Sequence, residues 1–340
     1  MIVRREYLGA ALLLAVLSVM PVLLEFNDYY TLLLFYVVLY STMVVAWNII
    51  GGFAGQFDLA ASAYQGLGGF ITGLLLLRLG ITPILGIFVG GAGAVGLAAF
   101  IGYPTFRYGV KDVWYALSTY ALVFIVQSIF LIWEAVGGPV EQRFPAVGQS
   151  AYYLSFTHNY PYFYLILVAF AAAVLVNIKI RYGKVGYYLM AIRENEDAAT
   201  MLGVDVRKYK LVALIIYALI VGISGGLFVS VIRYVHPSIF DPWISLQTGV
   251  LGIIGGIGNL AGPPVAALLL SSLSEYTRDF LGGVTILGQT IFGLQQMLYA
   301  IIVIIVVLFK PQGLGFFFQT LIDRFLSGIK PYRKMKLEQK

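Results

Sequence analysis

The chain contains no cysteine. Disulfides, thiol nucleophiles and cysteine-based metal sites are therefore excluded. Its two histidines, His158 and His236, lie far apart in sequence, which argues against a histidine-rich metal site. Charged residues make up 11% of its 340 residues, whereas soluble domains carry about 25%. No Gly-x-x-x-x-Gly-Lys-Ser/Thr phosphate loop occurs, so any work done with ATP falls to a partner. No paired acids and no His/Cys set lies inside an apolar run, which leaves a membrane-embedded enzyme without a nucleophile, base or metal cluster. The chain is therefore expected to have no enzyme activity and no cofactor of its own.

What is present is apolar. Hydrophobic residues make up 60% of the chain, and the mean hydropathy is +0.88. These values predict an all-α, polytopic helical membrane protein. The 38 glycines suit helices that approach closely in lipid. The net charge of +6 does not indicate nucleic acid. Its basic residues sit at span ends and at the C-terminus, where the positive-inside rule accounts for them.

A bilayer is crossed by roughly 20 apolar residues. Arg4 and Arg5 precede an apolar run at 7–24, read as an uncleaved first span. Further spans are predicted at 31–50, 51–79, 84–103, 113–133, 162–180, 211–232 and 285–309, about eight in all. Between the last two lie two apolar arms, 245–258 and 265–273, each too short to cross alone. They are predicted to form a re-entrant hairpin broken by glycine and proline at 255–264. That hairpin puts Arg4 and Arg5, Arg107 and Lys111, the 181–210 segment and the basic tail on one side, the cytoplasm. It puts Glu275, Arg278 and Asp279 outside; Arg78, also predicted outside, counts against the scheme. The expected organisation is a transmembrane domain at 1–324 and a basic cytoplasmic tail at 325–340, with both termini cytoplasmic in a multi-pass protein of the cell membrane.

The segment 181–210 is the only long, strongly charged stretch between two apolar runs. Residues 187–202 contain no Pro or Gly and predict one short amphipathic helix. Leu189, Ile192, Ala199 and Leu202 share its inner face, and Arg193, Glu196, Asp197 and Thr200 its outer face. Arg193 and Asp197, four residues apart, are expected to pair. Gly203 suits the C-terminal cap, and Arg207, Lys208 and Lys210 suit the membrane boundary.

The spelling of this segment carries a resemblance. Asp197-Ala198-Ala199, three residues, then Gly203 resembles the acidic-Ala-Ala-x-x-x-Gly signature of permease subunits of ATP-binding-cassette importers. The longer string from Ala191 through Glu194 and Glu196 to Gly203 and Lys210 resembles the branched-chain amino-acid permease branch, the LivM-like membrane subunits. The Ile-x-Leu-Pro that continues the general importer signature is missing here. Other stretches agree with the branch. Gly55, Gln56, Leu59, Gly66 and Gly68 match its Gly-Gln and Gly-x-Gly pattern, although Asp58, Ala60 and Ala61 stand where it usually has Ser, Gly and His. The run 114–121, the Gly137-Gly138-Pro139 loop, and 251–258 with Gly262-Pro263 are similar as well. The resemblance covers roughly residues 31–315.

The resemblance implies that 187–203 is a coupling helix seated in a cleft of a separate ATPase, with Arg193, Glu194, Glu196, Asp197, Ala198, Ala199 and Gly203 at the contact. It implies two cytoplasmic ATP-binding subunits, a second homologous permease subunit and an extracytoplasmic substrate-binding protein, besides the lipid bilayer and without nucleic acid. Branched-chain or related amino acids are the implied cargo, with urea or short amides as alternatives. An ion-coupled secondary transporter is the rival from another class; it needs titratable residues at mid-membrane. Candidate pathway residues are Gln56, Asp58, Thr119, Gln127, Gly255 and Gly256. Asp58 reads either as a contact for a substrate ammonium or as a cap at the start of the third span. Thr119 reads either as a pathway group or as a side chain bonded to its own helix. The family often has Glu near Gln127. Ile253-Ile254-Gly255-Gly256 echoes Ile49-Ile50-Gly51-Gly52, and paired interruptions of this kind mark transport pathways in some transporters.

Overall fold

A computed structural model describes residues 2–145 and 148–281, together with isolated positions between 285 and 308. The expected span at 285–309 and the tail at 325–340 lie outside the fully described residues. Helices α1 (Ile2–Leu23), α2 (Asp28–Trp47), α3 (Ala61–Leu79), α4 (Pro83–Arg107), α5 (Asp112–Ile132) and α6 (Tyr160–Tyr182) come first. The short α7 (Lys184–Glu194) and α8 (Glu196–Met201) follow, then α9 (Val206–Ile232), α10 (Pro242–Gly255) and α11 (Gly262–Leu281). Among the described residues six helices are long and apolar enough to cross a membrane, drawn from α1, α2, α4, α5, α6 and α9. The protein is an all-α polytopic membrane protein.

The central unit is α3, α4 and α9, held together by small residues rather than large ones. A Cβ added at Gly68 would lie 2.1 Å from the Gly222 carbonyl oxygen, and one added at Gly225 would lie 1.9 Å from the Gln65 carbonyl oxygen. A Cβ at Gly90 would lie 2.3 Å from the Gly68 oxygen. Backbone therefore packs on backbone, as small residues permit in membranes. The atoms in the way cannot swing aside, so Gly225→Ala must push α3 and α9 apart. Overpacking of this kind costs about 1–3 kcal/mol. The expected result is a lower thermal unfolding midpoint in detergent for Gly225→Ala, and no change for Gly96→Ala, where a Cβ would meet nothing within 4 Å.

Around this unit, α2 packs on α6 through Phe35, Val38, Leu39, Phe163, Ile166 and Phe170. Helix α1 lies against α6, where the Tyr164 hydroxyl donates to the Ser18 carbonyl at 3.2 Å.

The expected boundary between the second and third spans at 50–51 is displaced. Helix α2 continues through a π-helical turn, Asn48–Phe53, and the chain is non-helical from 54 to 60. Gly51 and Gly52 do not stop the helix. Trp47 covers Gly51, and the Asn48 carboxamide covers Gly52.

The broken pair at 255–264 is observed, with one correction. Helix α10 ends at Gly255, Gly256 adopts φ +101°, and α11 begins at Gly262. The second arm is not short: α11 runs 20 residues, about 30 Å at the helical rise. Glu275, expected in an outer loop, lies inside α11 and is buried. The serines and Glu275 that interrupt the apolar run are helix-compatible, so low hydropathy here does not mark a helix end.

One end of the bundle is covered by the segments 133–145 and 148–159. Its strand β1 (Gln142–Arg143) pairs antiparallel with β2 (Tyr234–Val235). Arg78, the awkward cation of the topology, donates to the Ala135 carbonyl of this cover. The Arg233 guanidinium donates to the Pro145 carbonyl at 3.0 Å. Asp28, before the body of α2, accepts from the Asn159 backbone N–H at 2.8 Å. The α7–α8 segment lies at the opposite end.

Candidate functional site

At that opposite end three pieces of chain meet: the 48–60 interruption, the α10–α11 turn and the α7–α8 segment. Asn48 sits at their centre, almost fully buried. Its carboxamide nitrogen donates to the Asn259 carbonyl at 3.0 Å and to Asn177 Oδ1 at 3.3 Å. Its Oδ1 accepts from the Gly258 N–H at 3.2 Å. Asn177, on α6, donates back to the Val45 carbonyl at 2.9 Å. A Cβ on Gly52 would come within 2.9 Å of the Gly258 nitrogen. The two Ile-Ile-Gly-Gly stretches thus lead into two interruptions that touch. Each leaves backbone groups without helical partners, and Asn48 satisfies groups on the second from the first.

The segment expected as one helix over 187–202 is two helices. Asn195 is extended, with φ −161° and ψ 113°, and its Oδ1 accepts from the Ala198 N–H at 2.9 Å. It caps α8, and Glu196 and Asp197 fill the first turn, where acids are favoured. The break turns the second half of the segment. Leu189, Ile192 and Ala199 are buried as expected, but Leu202 is 83% exposed and Met201 is 88% exposed. Gly203 closes α8 with φ +83°, the left-handed conformation expected of a glycine cap. The predicted Arg193–Asp197 pair does not form, because the break at Asn195 removes the helical register between them. Arg193 Nη1 donates instead to the Gly52 carbonyl at 3.0 Å and to the Ile257 carbonyl at 3.4 Å. It straps α7 to both interruptions at once.

Glu196 is a second hub. It pairs with Lys210 on α9, whose side chain is 4% exposed against 20% for Glu196. Its other oxygen lies 3.4 Å from Lys111 Nζ, and Asp197 lies 3.7 Å from the same ammonium. Gln56 Nε2 donates to Glu196 Oε1 at 3.4 Å. The Glu196 charge holds the Lys111 ammonium above its ordinary pKa range. Lys210 also stands 5.9 Å from the Phe106 ring centre, within reach of a cation–π contact.

Asp58 lies deeper. The sequence suggests a boundary cap or a substrate contact, and the structure places it fully buried. One oxygen accepts from the Ala60 N–H at 2.8 Å, which is a cap-like role just before α3. The other accepts from the Tyr115 hydroxyl at 2.9 Å and the Tyr64 hydroxyl at 3.5 Å. Its carbonyl accepts from Trp47 Nε1 at 2.8 Å. Thr119 ties its own helix to the 54–60 segment. It donates within its own helix, to the Ala116 carbonyl at 3.0 Å, and it accepts from the Leu59 N–H at 3.0 Å. Gln127, two turns further along α5, is half-buried and takes no part in these bonds. Gly255 lies against Pro263, where a Cβ would come within 2.6 Å of backbone.

The structure therefore gathers Gln56, Asp58, Thr119, Gly255, Gly256, Arg193 and Glu196 at one end of the bundle. Glu194 and Ala198 face outward there. Sequence reasoning missed Asn48, Asn177, Lys111, Lys210 and Tyr115. A polar amide inside an apolar run was the available signal for the first two.

Comparison with known proteins shows the family. The sequence profile described as branched-chain amino acid transport system / permease component matches residues 29–309. The high-affinity branched-chain amino acid transport system permease protein LivM of Escherichia coli K12 is 27% identical over 320 residues, covering 84% of this chain and 72% of the relative. The corresponding permease protein LivH of the same organism is 22% identical over 262 residues, covering 71% of this chain and 82% of the relative. A probable branched-chain amino acid transport permease protein LivH of Methanocaldococcus jannaschii is 23% identical over 265 residues, covering 76% and 82%. No solved structure matches. The chain belongs to the family of branched-chain amino acid transport system permease components.

Proposed function

We propose that the chain is a membrane subunit of an ATP-driven importer of branched-chain amino acids, and that α7 and α8 receive the movement of a separate ATPase. One observation carries this reading. The tip of the segment, Met201 and Leu202, is bare, while its base is tied inward by Arg193 and Glu196. Met201 and Leu202 are adjacent and both bare, and a contiguous apolar tip on an anchored base suits insertion into a partner. The relatives named as branched-chain amino acid permeases support the cargo. Their two kinds, LivM and LivH, support pairing with a second, similar permease subunit. ATP-binding subunits and an external binding protein complete the assembly, and α7–α8 faces the cytoplasm. The basic residues Arg107, Lys111, Lys184, Arg193, Arg207 and Lys208 gather at that end, as the positive-inside rule requires.

A second reading has one observation in its favour. The buried Asp58 carboxylate is the kind of group an ion-coupled secondary transporter uses. Leucine uptake by cells expressing the assembly separates the two. The importer reading expects uptake to survive an uncoupler and to stop when ATP is depleted. Loss with the uncoupler while ATP is maintained would establish ion coupling instead.

A further inference from the structure

Helix α5 is attached to the bundle in an uneven way. Its outer side is bare at Trp114, Leu117, Ile125 and Ile132. At its coupling-loop end it is held by polar ties from one stripe of residues, Lys111, Tyr115 and Thr119, spaced by four and so stacked on one helix face. Lys111 reaches Glu196 at 3.4 Å. Tyr115 donates to Asp58 at 2.9 Å. Thr119 accepts from the Leu59 N–H at 3.0 Å. The receiving pieces are themselves joined, because Gln56 donates to Glu196 at 3.4 Å. The hold on this end of α5 thus passes through α8 and the 54–60 segment.

We propose that the Lys111, Tyr115, Thr119 stripe is the grip by which movement of the coupling segment is passed to α5, with Asp58 and Glu196 as the positioning residues that hold it. The inference rests on the importer reading and names the route inside this chain. Two features suit a grip that opens and closes. Polar ties exchange partners, whereas the interlocked glycine faces of α3, α4 and α9 cannot slide without collision. When α5 withdraws Tyr115, the Asp58 carboxylate retains the Ala60 N–H and the Tyr64 hydroxyl, and is not left bare.

The test uses the complete assembly in proteoliposomes, with radiolabelled leucine as the probe and with ATP hydrolysed per leucine imported as the readout. Tyr115→Phe removes one hydroxyl and keeps the ring. It is expected to leave the ATPase subunits bound and hydrolysing, to lower the maximal import rate about tenfold, as loss of a hydrogen bond to a charged group implies, and to leave the half-saturating leucine concentration unchanged. A purely structural role would lower the amount of assembled protein and leave that stoichiometry intact. The absence of native cysteine permits a second variant, Leu59→Cys with Thr119→Cys. Oxidation is expected to join the pair and stop import while hydrolysis continues, and reductant is expected to return import to the level of the reduced double variant. Wild-type import and stoichiometry in Tyr115→Phe, or equal import by the oxidised and reduced pair, would each overturn the grip. Failure of the wild-type chain to hold ATPase subunits would instead overturn the importer reading on which it rests.

Discussion

Glu196→Ala should produce a protein that is both less stable and unable to import. Lys210 is nearly buried, and Glu196 is its ion-pair partner. Removing one partner of a buried pair costs about 3–5 kcal/mol, because the remaining charge is stranded. The partial exposure of Glu196 places this case near the lower figure. The same carboxylate also receives Lys111 and Gln56, so its loss detaches α8 from α5 and from the 54–60 segment together. The expected result is a clear fall in thermal midpoint in detergent, with leucine import reduced to background. Glu196→Gln keeps an oxygen for Lys210 and should recover part of the stability, and less of the import. Unchanged stability for Glu196→Ala would show that the Lys210 ammonium finds another partner or water, and would remove the hub from the account.

Arg193→Ala should separate stability from coupling. Arg193 lies on the surface side of α7, and its bonds go to two backbone carbonyls, Gly52 and Ile257. Hydrogen bonds from a charged donor contribute about 1.5–3 kcal/mol each at most, and exposure lowers that here. The fold should therefore survive. What is lost is the only strap, among the described residues, that joins α7 to both interruptions. Import is expected to fall by about ten- to a hundredfold, each factor of ten corresponding to about 1.4 kcal/mol, while ATPase subunits still co-purify. Arg193→Lys should not rescue it, because a single ammonium does not reproduce the guanidinium fork. Full import by Arg193→Ala would show that movement reaches the interruptions by another route.

The apolar framework was legible because length and hydropathy are local properties. Runs of about 20 residues announced α1, α2, α4, α5, α6 and α9, and the Gly/Pro cluster announced the broken pair. Gly203 was legible because a helix end needs a left-handed residue. The break at Asn195 was harder to see. The good helix formers on either side outweighed a signal that was present, Asn followed by two acids, which reads as the start of a new helix. The partners of the polar groups were not legible at all. Asn48 and Asn177 are 129 positions apart, and Glu196 reaches Lys210 across 14. Only tertiary packing brings such groups together, so spacing carries no trace of them. Asp58 shows the same limit: its neighbours in sequence suggest a boundary, and only Tyr64, Tyr115 and Trp47 reveal that it is enclosed.

These observations assign different work to the two ends of the molecule. The cover at 133–145 fixes one end with backbone-directed ties from Arg78 and Arg233. The other end concentrates the interrupted helices, the two asparagines and both charged hubs. In the proposed importer, a push delivered at Met201 and Leu202 would meet Arg193 and Glu196 next, and through them the 48–60 and 256–261 segments. Interrupted helices are the elements best able to respond, since their backbone is not locked into a continuous ladder.

The measurement that tests this most directly is a cross-link from the tip itself. Met201→Cys would be the chain's only thiol. Carrying a photoactivated cross-linker in the intact assembly in native membranes, it is expected to form an adduct with an ATP-binding subunit, identified by mass spectrometry. Tyr152→Cys, at the opposite end, should form none with that subunit. An assembly in which Met201→Cys captures only lipid, or in which Tyr152→Cys captures the ATPase, would contradict the account.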